Sequence, residues 1–190
     1  RIEVGFKGEL GDPREAGIAS GIRDLGIRTI DKVTVADVYW LDADLAPREL
    51  DAVCLRLLSD PVSQVYRHDG GHVKDIEGCL CALEVTYNSG VSDPLQATIL
   101  KGIEDIGVGP VPRAKNGVLY VLHGSATESE IQLITDQLLL NPVVQHVVQP
   151  GEDVFPHEPQ YSLQLRYIAI TQLPKNELLS LAGEFGFSPM

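Results

Sequence analysis

Apolar and polar residues alternate at the start of the chain. Ile2, Val4 and Phe6 are separated by Glu3 and Gly5, which predicts a half-buried strand. Asp12 then stands as a helix N-cap, with Pro13 at the first helical position and Glu15 three residues after the cap. Ile18, Ile22 and Leu25 recur at helical spacing, and Gly26 marks the C-terminal stop. An extended stretch over residues 27–41 follows. A second helix starting near Pro47 carries the apolar face Leu50, Val53, Cys54 and Leu57, and a last strand follows Pro61.

The same pattern returns 81 residues later without a gap. Leu83, Val85 and Tyr87 repeat the opening strand, and Asp93, Pro94 and Gln96 repeat the cap. Leu95, Ile99, Ile103 and Ile106 form the helix face, which Gly107 ends. The extended stretch recurs over 108–122, where Asn116-Gly117 is a tight-turn signal. Each stretch therefore reads as a hairpin or as one kinked strand. Thr127 and Glu130 predict a capping box for the last helix, with Ile131, Ile134 and Leu138 on its apolar face. Pro61-Val62 matches Pro142-Val143 before the closing strand.

Strand, helix, strand pair, helix, strand is the split βαβ, ferredoxin-like order. The expected fold is α+β: two tandem ferredoxin-like repeats closing over each other as a pseudo-dimer, plus a strand–helix tail. The first copy spans 1–69, a Gly-rich charged linker 70–79 and the second copy 80–149. Residues 150–190 hold a second linker and the tail. In the tail Tyr161, Leu163, Leu165 and Tyr167 alternate as a strand, and Pro174 opens an amphipathic helix through Leu178, Leu181 and Phe185.

Composition narrows the function. With 27 acidic and 15 basic residues the net charge is −12, which argues against nucleic acid and against anionic membrane surfaces. No apolar run reaches the ~20 residues of a membrane span. Three cysteines make no disulfide framework, and a reducing cytoplasm is the expected compartment. The missing initiator Met and the ending Ser188-Pro189-Met190 read as cuts in a longer chain.

No strong catalytic motif is present. Asp12-Pro13 and Asp93-Pro94 precede helices whose free N–H groups can hold an anion, so these four residues are candidate anion contacts, with plain capping the simpler reading. Gly26, Gly107 and Gly117 are the turn glycines. His68, His72, Cys79 and Cys81 cluster around the first linker, but their spacing fits no standard zinc pattern, and no metal site is expected. His123-Gly124-Ser125 reads as a strand-end turn rather than a nucleophile with its base. Acidic pairs such as Glu104-Asp105 read as solvated surface.

Each copy resembles PurS, the small non-catalytic subunit of phosphoribosylformylglycinamidine synthase. The likeness lies in the opening strand, Asp-Pro at the first helix, the Gly after it, the long middle strand, and Leu-Leu-x-x-Pro-Val over 57–62 and 138–143. The tail from Pro174 through Glu177-Leu178-Leu179 to Gly186 is similar to the start of the large synthetase subunit. Where the family's middle strand carries an Arg and a Gly-Lys pair, the copies have Thr34 and Ala36-Asp37, and Lys115 and Gly117-Val118, so no site residue is carried over.

The resemblance implies an assembly module in de novo purine biosynthesis, bridging the synthetase and glutaminase components. The whole enzyme would use ATP and magnesium, with no cofactor held in this part. The rival expectation is a tandem regulatory sensor resembling ACT domains, with a small-molecule ligand at the turn formed by Gly11, Asp12 and Pro13.

Overall fold

The computed structural model describes residues 1–68, 78–155 and 170–184. They fall into two compact units, Arg1–Pro156 and His157–Met190. In the first, eleven-to-twelve-residue strands at the centre organise everything else. β1 (Ile2–Phe6), α1 (Pro13–Asp24), β2 (Ile30–Leu41), α2 (Pro47–Val53) and β3 (Gln64–His68) make up the first copy. β4 (Cys79–Tyr87), α3 (Gln96–Asp105), β5 (Ala114–Gly124), α4 (Glu128–Ile134) and β6 (Gln145–Val147) make up the second. The second unit contains a short turn of 3-10 helix at Ile170–Gln172 and α5 (Lys175–Glu184).

The six strands form one antiparallel sheet in the order β3-β1-β2-β5-β4-β6. The copies meet along β2 and β5, from Leu41 opposite Ala114 to Ile30 opposite Gly124. Asp37 faces Val118, the residue 81 positions further on, so an approximate two-fold axis passes through that pair. This corrects the expected closure of one sheet over another: the copies join edge to edge. The extended stretches are single strands rather than hairpins. Gly117 is correspondingly no turn glycine but an interior residue of β5, where a Cβ would stand 2.5 Å from the Val85 carbonyl oxygen and 2.9 Å from the Trp40 ring. The Asn-Gly pair marks a close approach of Trp40 to the backbone.

The described helices of this unit cover one face, and there the copies exchange partners. Ile99 and Ile103 of α3 pack with Ile2, Val4, Val53 and Cys54 of the first copy. Ile22 of α1 packs with Leu122, Ile134 and Leu139 of the second. Each core therefore draws residues from both copies. The opposite face carries Ala36, Val38, Trp40, Leu119 and Val121, with Val154 from the segment after β6 packed on them.

Local chemistry sets the helix ends. Asp12 caps α1 with Pro13 as its first residue, and Thr127 and Glu130 exchange both bonds of a capping box on α4. Gly26 and Gly107 take φ of +86° and +76°, the left-handed conformation that ends α1 and α3. α3 departs from the expected start. It begins at Gln96, so Pro94 lies two residues before it and Leu95 is 43 % exposed instead of on the buried face. Both α2 and α4 end in a wider π-type turn, Cys54–Leu58 and Thr135–Leu139, closed by Ser59 N–H to Cys54 O (2.9 Å) and Leu140 N–H to Thr135 O (3.2 Å). The expected linker over 70–79 lies outside the described residues up to 77. The tail strand at Tyr161, Leu163, Leu165 and Tyr167 lies outside them as well, as does Phe185 of the tail helix.

Candidate functional site

The polar side chains that converge on the two-fold axis come from the starts of α1 and α3 and the middles of β2 and β5. Asp12 is buried and accepts from the Arg14 N–H at 2.8 Å and from the Arg14 guanidinium at 2.9 and 2.5 Å. Arg14 reaches on to Asp37 on the axis, at 2.8 Å. The Glu15 carboxylate accepts from the Val35 N–H at 3.1 Å, beyond the point where β1 stops pairing with β2. Tyr39 and Tyr120, 81 positions apart, flank the axis on the same face as Asp37.

Charges in this cluster are mutually fixed. Bonding to Asp12 raises the Arg14 guanidinium above its ordinary value. Burial pushes the Asp12 carboxyl up, but the bonds from Arg14 outweigh it and hold the group below the ordinary carboxylate value. Burial first, then Asp37, pushes the Tyr39 hydroxyl up to about 12. Burial also raises Tyr120.

The second copy solves the same junction without an arginine. Asp93 accepts from the Leu95 N–H (2.9 Å) and, with its other oxygen, from the Asn116 N–H (2.8 Å). With its amide turned to suit its surroundings, the Asn116 side chain donates to Asp93 as well. The sequence-derived candidates Asp12, Pro13, Asp93 and Pro94 thus lie at the two helix starts flanking the axis. The Asp12 carboxylate is bonded to the Arg14 N–H in the first turn of α1, and the Asp93 carboxylate to the N–H groups of Leu95, just before α3, and of Asn116 on β5. Chemically, the cluster fixes helix starts to strand centres and leaves two tyrosine hydroxyls beside a carboxylate-rich patch. Sequence reasoning missed Arg14, Asp37, Tyr39 and Tyr120. Tyr39 and Tyr120 were visible as a match in the repeat, but nothing in the sequence placed them at an axis.

The other candidates disperse. His123 is buried with its Nε2 3.2 Å from Thr34 Oγ1. Burial first, then Lys32, lowers its pKa. Cys79 and Cys81 lie on opposite faces because the register shifts between them, so Cys79 joins the Trp40 cluster and Cys81 the helix-side core. His72 lies outside the described residues. His68 stacks on Tyr66, and Asp51 accepts from the Tyr66 hydroxyl at 2.9 Å. Among the described residues no group of three or more His, Cys, Asp and Glu is placed to hold a metal ion.

An open cleft of about 1000 Å³ is lined by Arg1, Glu3, Trp40, Glu84, His146 and Val154, and also by Gln132 of α4 and by Thr135 and Asp136 of the turn that ends it. Arg1 bridges Glu3 and Glu84 at 2.5 Å each. These two glutamates are 81 positions apart, so one cation ties equivalent points of the two copies together. Among the described residues no helix is long and apolar enough to cross a membrane.

No protein-family model matches the chain, and no curated protein matches it.

Proposed function

We propose that the chain is a non-catalytic assembly module formed by two PurS-like copies in tandem, at the front of a phosphoribosylformylglycinamidine synthase in the cytoplasm. The fold supports this through strand order. β6, β4, β5 and the first half of β2, under α4 and α1, follow the order of a split βαβ, ferredoxin-like unit. In this reading α1 and the edge strand come from the other copy, and one chain makes internally what two small subunits would make by dimerising. Tethering keeps the effective concentration of one copy for the other at about millimolar.

The observation that carries the docking role is a matched pair of apolar corners. Val62 and Val143, 81 positions apart, are 82 % and 79 % exposed, and each sits in the turn leading into an outer strand. Among the described residues, β3 and β6 pair on one side only. Exposed edges with apolar corners are what a partner protein adds to. The partners in this reading are the synthetase and glutaminase components, and ATP, magnesium and the nucleotide substrate act on the synthetase. A sensor needs the turn at Gly11, Asp12 and Pro13 free, and Asp12 and Arg14 fill it.

The test is co-sedimentation of the chain with the two components, together with turnover driven by glutamine or by ammonia. The chain should bind both components and raise only the glutamine-driven rate, and Val62→Asp with Val143→Asp should weaken binding without unfolding the chain. A chain that binds neither component, or that turns over the nucleotide alone, overturns the proposal.

A further inference from the structure

Residues 148–155 lie as a strap on the helix-free side of the sheet. The Val148 N–H donates to the Glu84 carbonyl at 2.7 Å, extending β6 by one bond. A turn follows in which the Glu152 carboxylate accepts from the Gln149 N–H at 2.8 Å. Val154 and Phe155 then pack with Val38, Trp40 and Leu119. Arg113 holds the far end: its guanidinium lies 5.1 Å from the centre of the Phe155 ring and donates to the Phe155 carbonyl at 3.1 Å.

His146 joins this strap to the sheet. Its Nε2 is 2.7 Å from Glu152 Oε1 and its Nδ1 is 2.9 Å from Asn88 Oδ1. The Asn88 amide nitrogen faces the Val143 carbonyl, which turns its oxygen to the ring. Both ring nitrogens therefore face acceptors. A neutral imidazole has one N–H and satisfies one of them, whereas the imidazolium satisfies both. The first copy has Val65 at the equivalent position, so the device belongs to the second copy alone.

We propose that His146 and Glu152 form a pH-sensitive latch, which holds the strap over Trp40 while His146 is protonated and loosens when the ring is neutral. Among the described residues, the charged groups around the pair have their own partners. Lys115 from β5 acts on Glu152. Asp153 is bonded to the Phe155 N–H, and Thr86, the cross-strand neighbour of His146, is bonded to the Asn116 carbonyl. Arg1 and Asp136 line the same cleft and are bonded to Glu3 and Glu84, and to Gln132. Burial pushes the Glu152 carboxyl up, but the bonds from Gln149 and His146 outweigh it and hold the group below the ordinary carboxylate value. Release of the strap bares Val38, Trp40 and Leu119.

Trp40 is the only tryptophan in the chain, so its quenching by acrylamide reports on the strap. The full chain is taken through the His146 titration, followed by imidazole NMR. The second readout is the hydrogen-exchange protection of the Val148 amide, corrected for the intrinsic pH dependence. Protection should fall about two- to fivefold, and quenching should rise, as His146 loses its proton, in line with a part-exposed ion pair. His146→Gln and Glu152→Gln should each remove that step while keeping the fold by circular dichroism. Protection and quenching that stay flat through the His146 titration, or a step that survives in both variants, would overturn the latch.

Discussion

Leu57 lies directly on Gly102, and Leu138, its counterpart 81 positions on, lies on Gly21, so each copy inserts a leucine into a helix of the other. The contact at Gly102 is the tighter of the two. Gly102→Val should therefore lower stability by about 1–3 kcal/mol through overpacking. Leu57→Ala in the same chain should recover part of the loss, because the two residues share one contact. Gly17 sits mid-helix in α1, and a Cβ added there would meet nothing within 4 Å, so Gly17→Ala should instead stabilise by about 0.5–1 kcal/mol. Denaturant midpoints measure all three.

Asp12 gives an acid-side prediction. Its carboxyl is held below 3.8, the ordinary value, so its contribution is full above that value and is lost as pH falls through the folded one. Asp12→Asn keeps a good N-cap but removes the charge facing Arg14. The variant should be less stable than the parent at neutral pH, and the gap should close in acid. A gap independent of pH would mean that the Arg14 pair contributes nothing.

Tyr39 gives the alkaline counterpart. A phenol pushed from 10.0 to about 12 favours the folded state below pH 10, and that stabilisation disappears as pH rises between the two values. Ultraviolet titration should show late tyrosine ionisation, and Tyr39→Phe should remove the part due to Tyr39 and leave that of Tyr120. Asp37→Asn should shift the Tyr39 part only slightly down, because burial is the larger cause.

The cysteines separate by position. Cys54 is fully buried, and burial, then Asp51, pushes its thiol up to about 11. Maleimide should leave it unmodified in the native protein and label it on unfolding. Mass spectrometry of digested, labelled protein reads this directly.

Much of the fold was legible because local chemistry and the repeat agreed. Asp12, Pro13 and the Thr127–Glu130 box announced helix starts, and Gly26 and Gly107 announced helix ends. The shift of 81 paired each strand and α-helix of residues 1–68 with one of residues 79–147. Other features were hidden. Asn116-Gly117 carries the local signature of a turn, and only the neighbour across the sheet, Trp40, shows why a glycine is needed inside a strand. The apolar stripe Ile99, Ile103 and Ile106 likewise says that one face of α3 is buried but not which strands of the sheet it covers. That choice depends on contacts distant in sequence, and the exchange of helices was invisible for that reason. The Arg14–Asp37 contact and the His146–Glu152 pair were hidden likewise, since ordinary surface residues gain a role only when the strands bring them together.

Neither copy holds a complete core by itself, and dividing the chain tests this most directly. Residues 1–77 and 78–190 can be produced separately and followed by circular dichroism, sedimentation and thermal unfolding. Residues 1–77 alone should form no cooperatively unfolding monomer, and mixing with 78–190 should restore one cooperative transition in a one-to-one complex. A separate piece that unfolds cooperatively as a monomer, with no change on adding the other, would contradict the shared core.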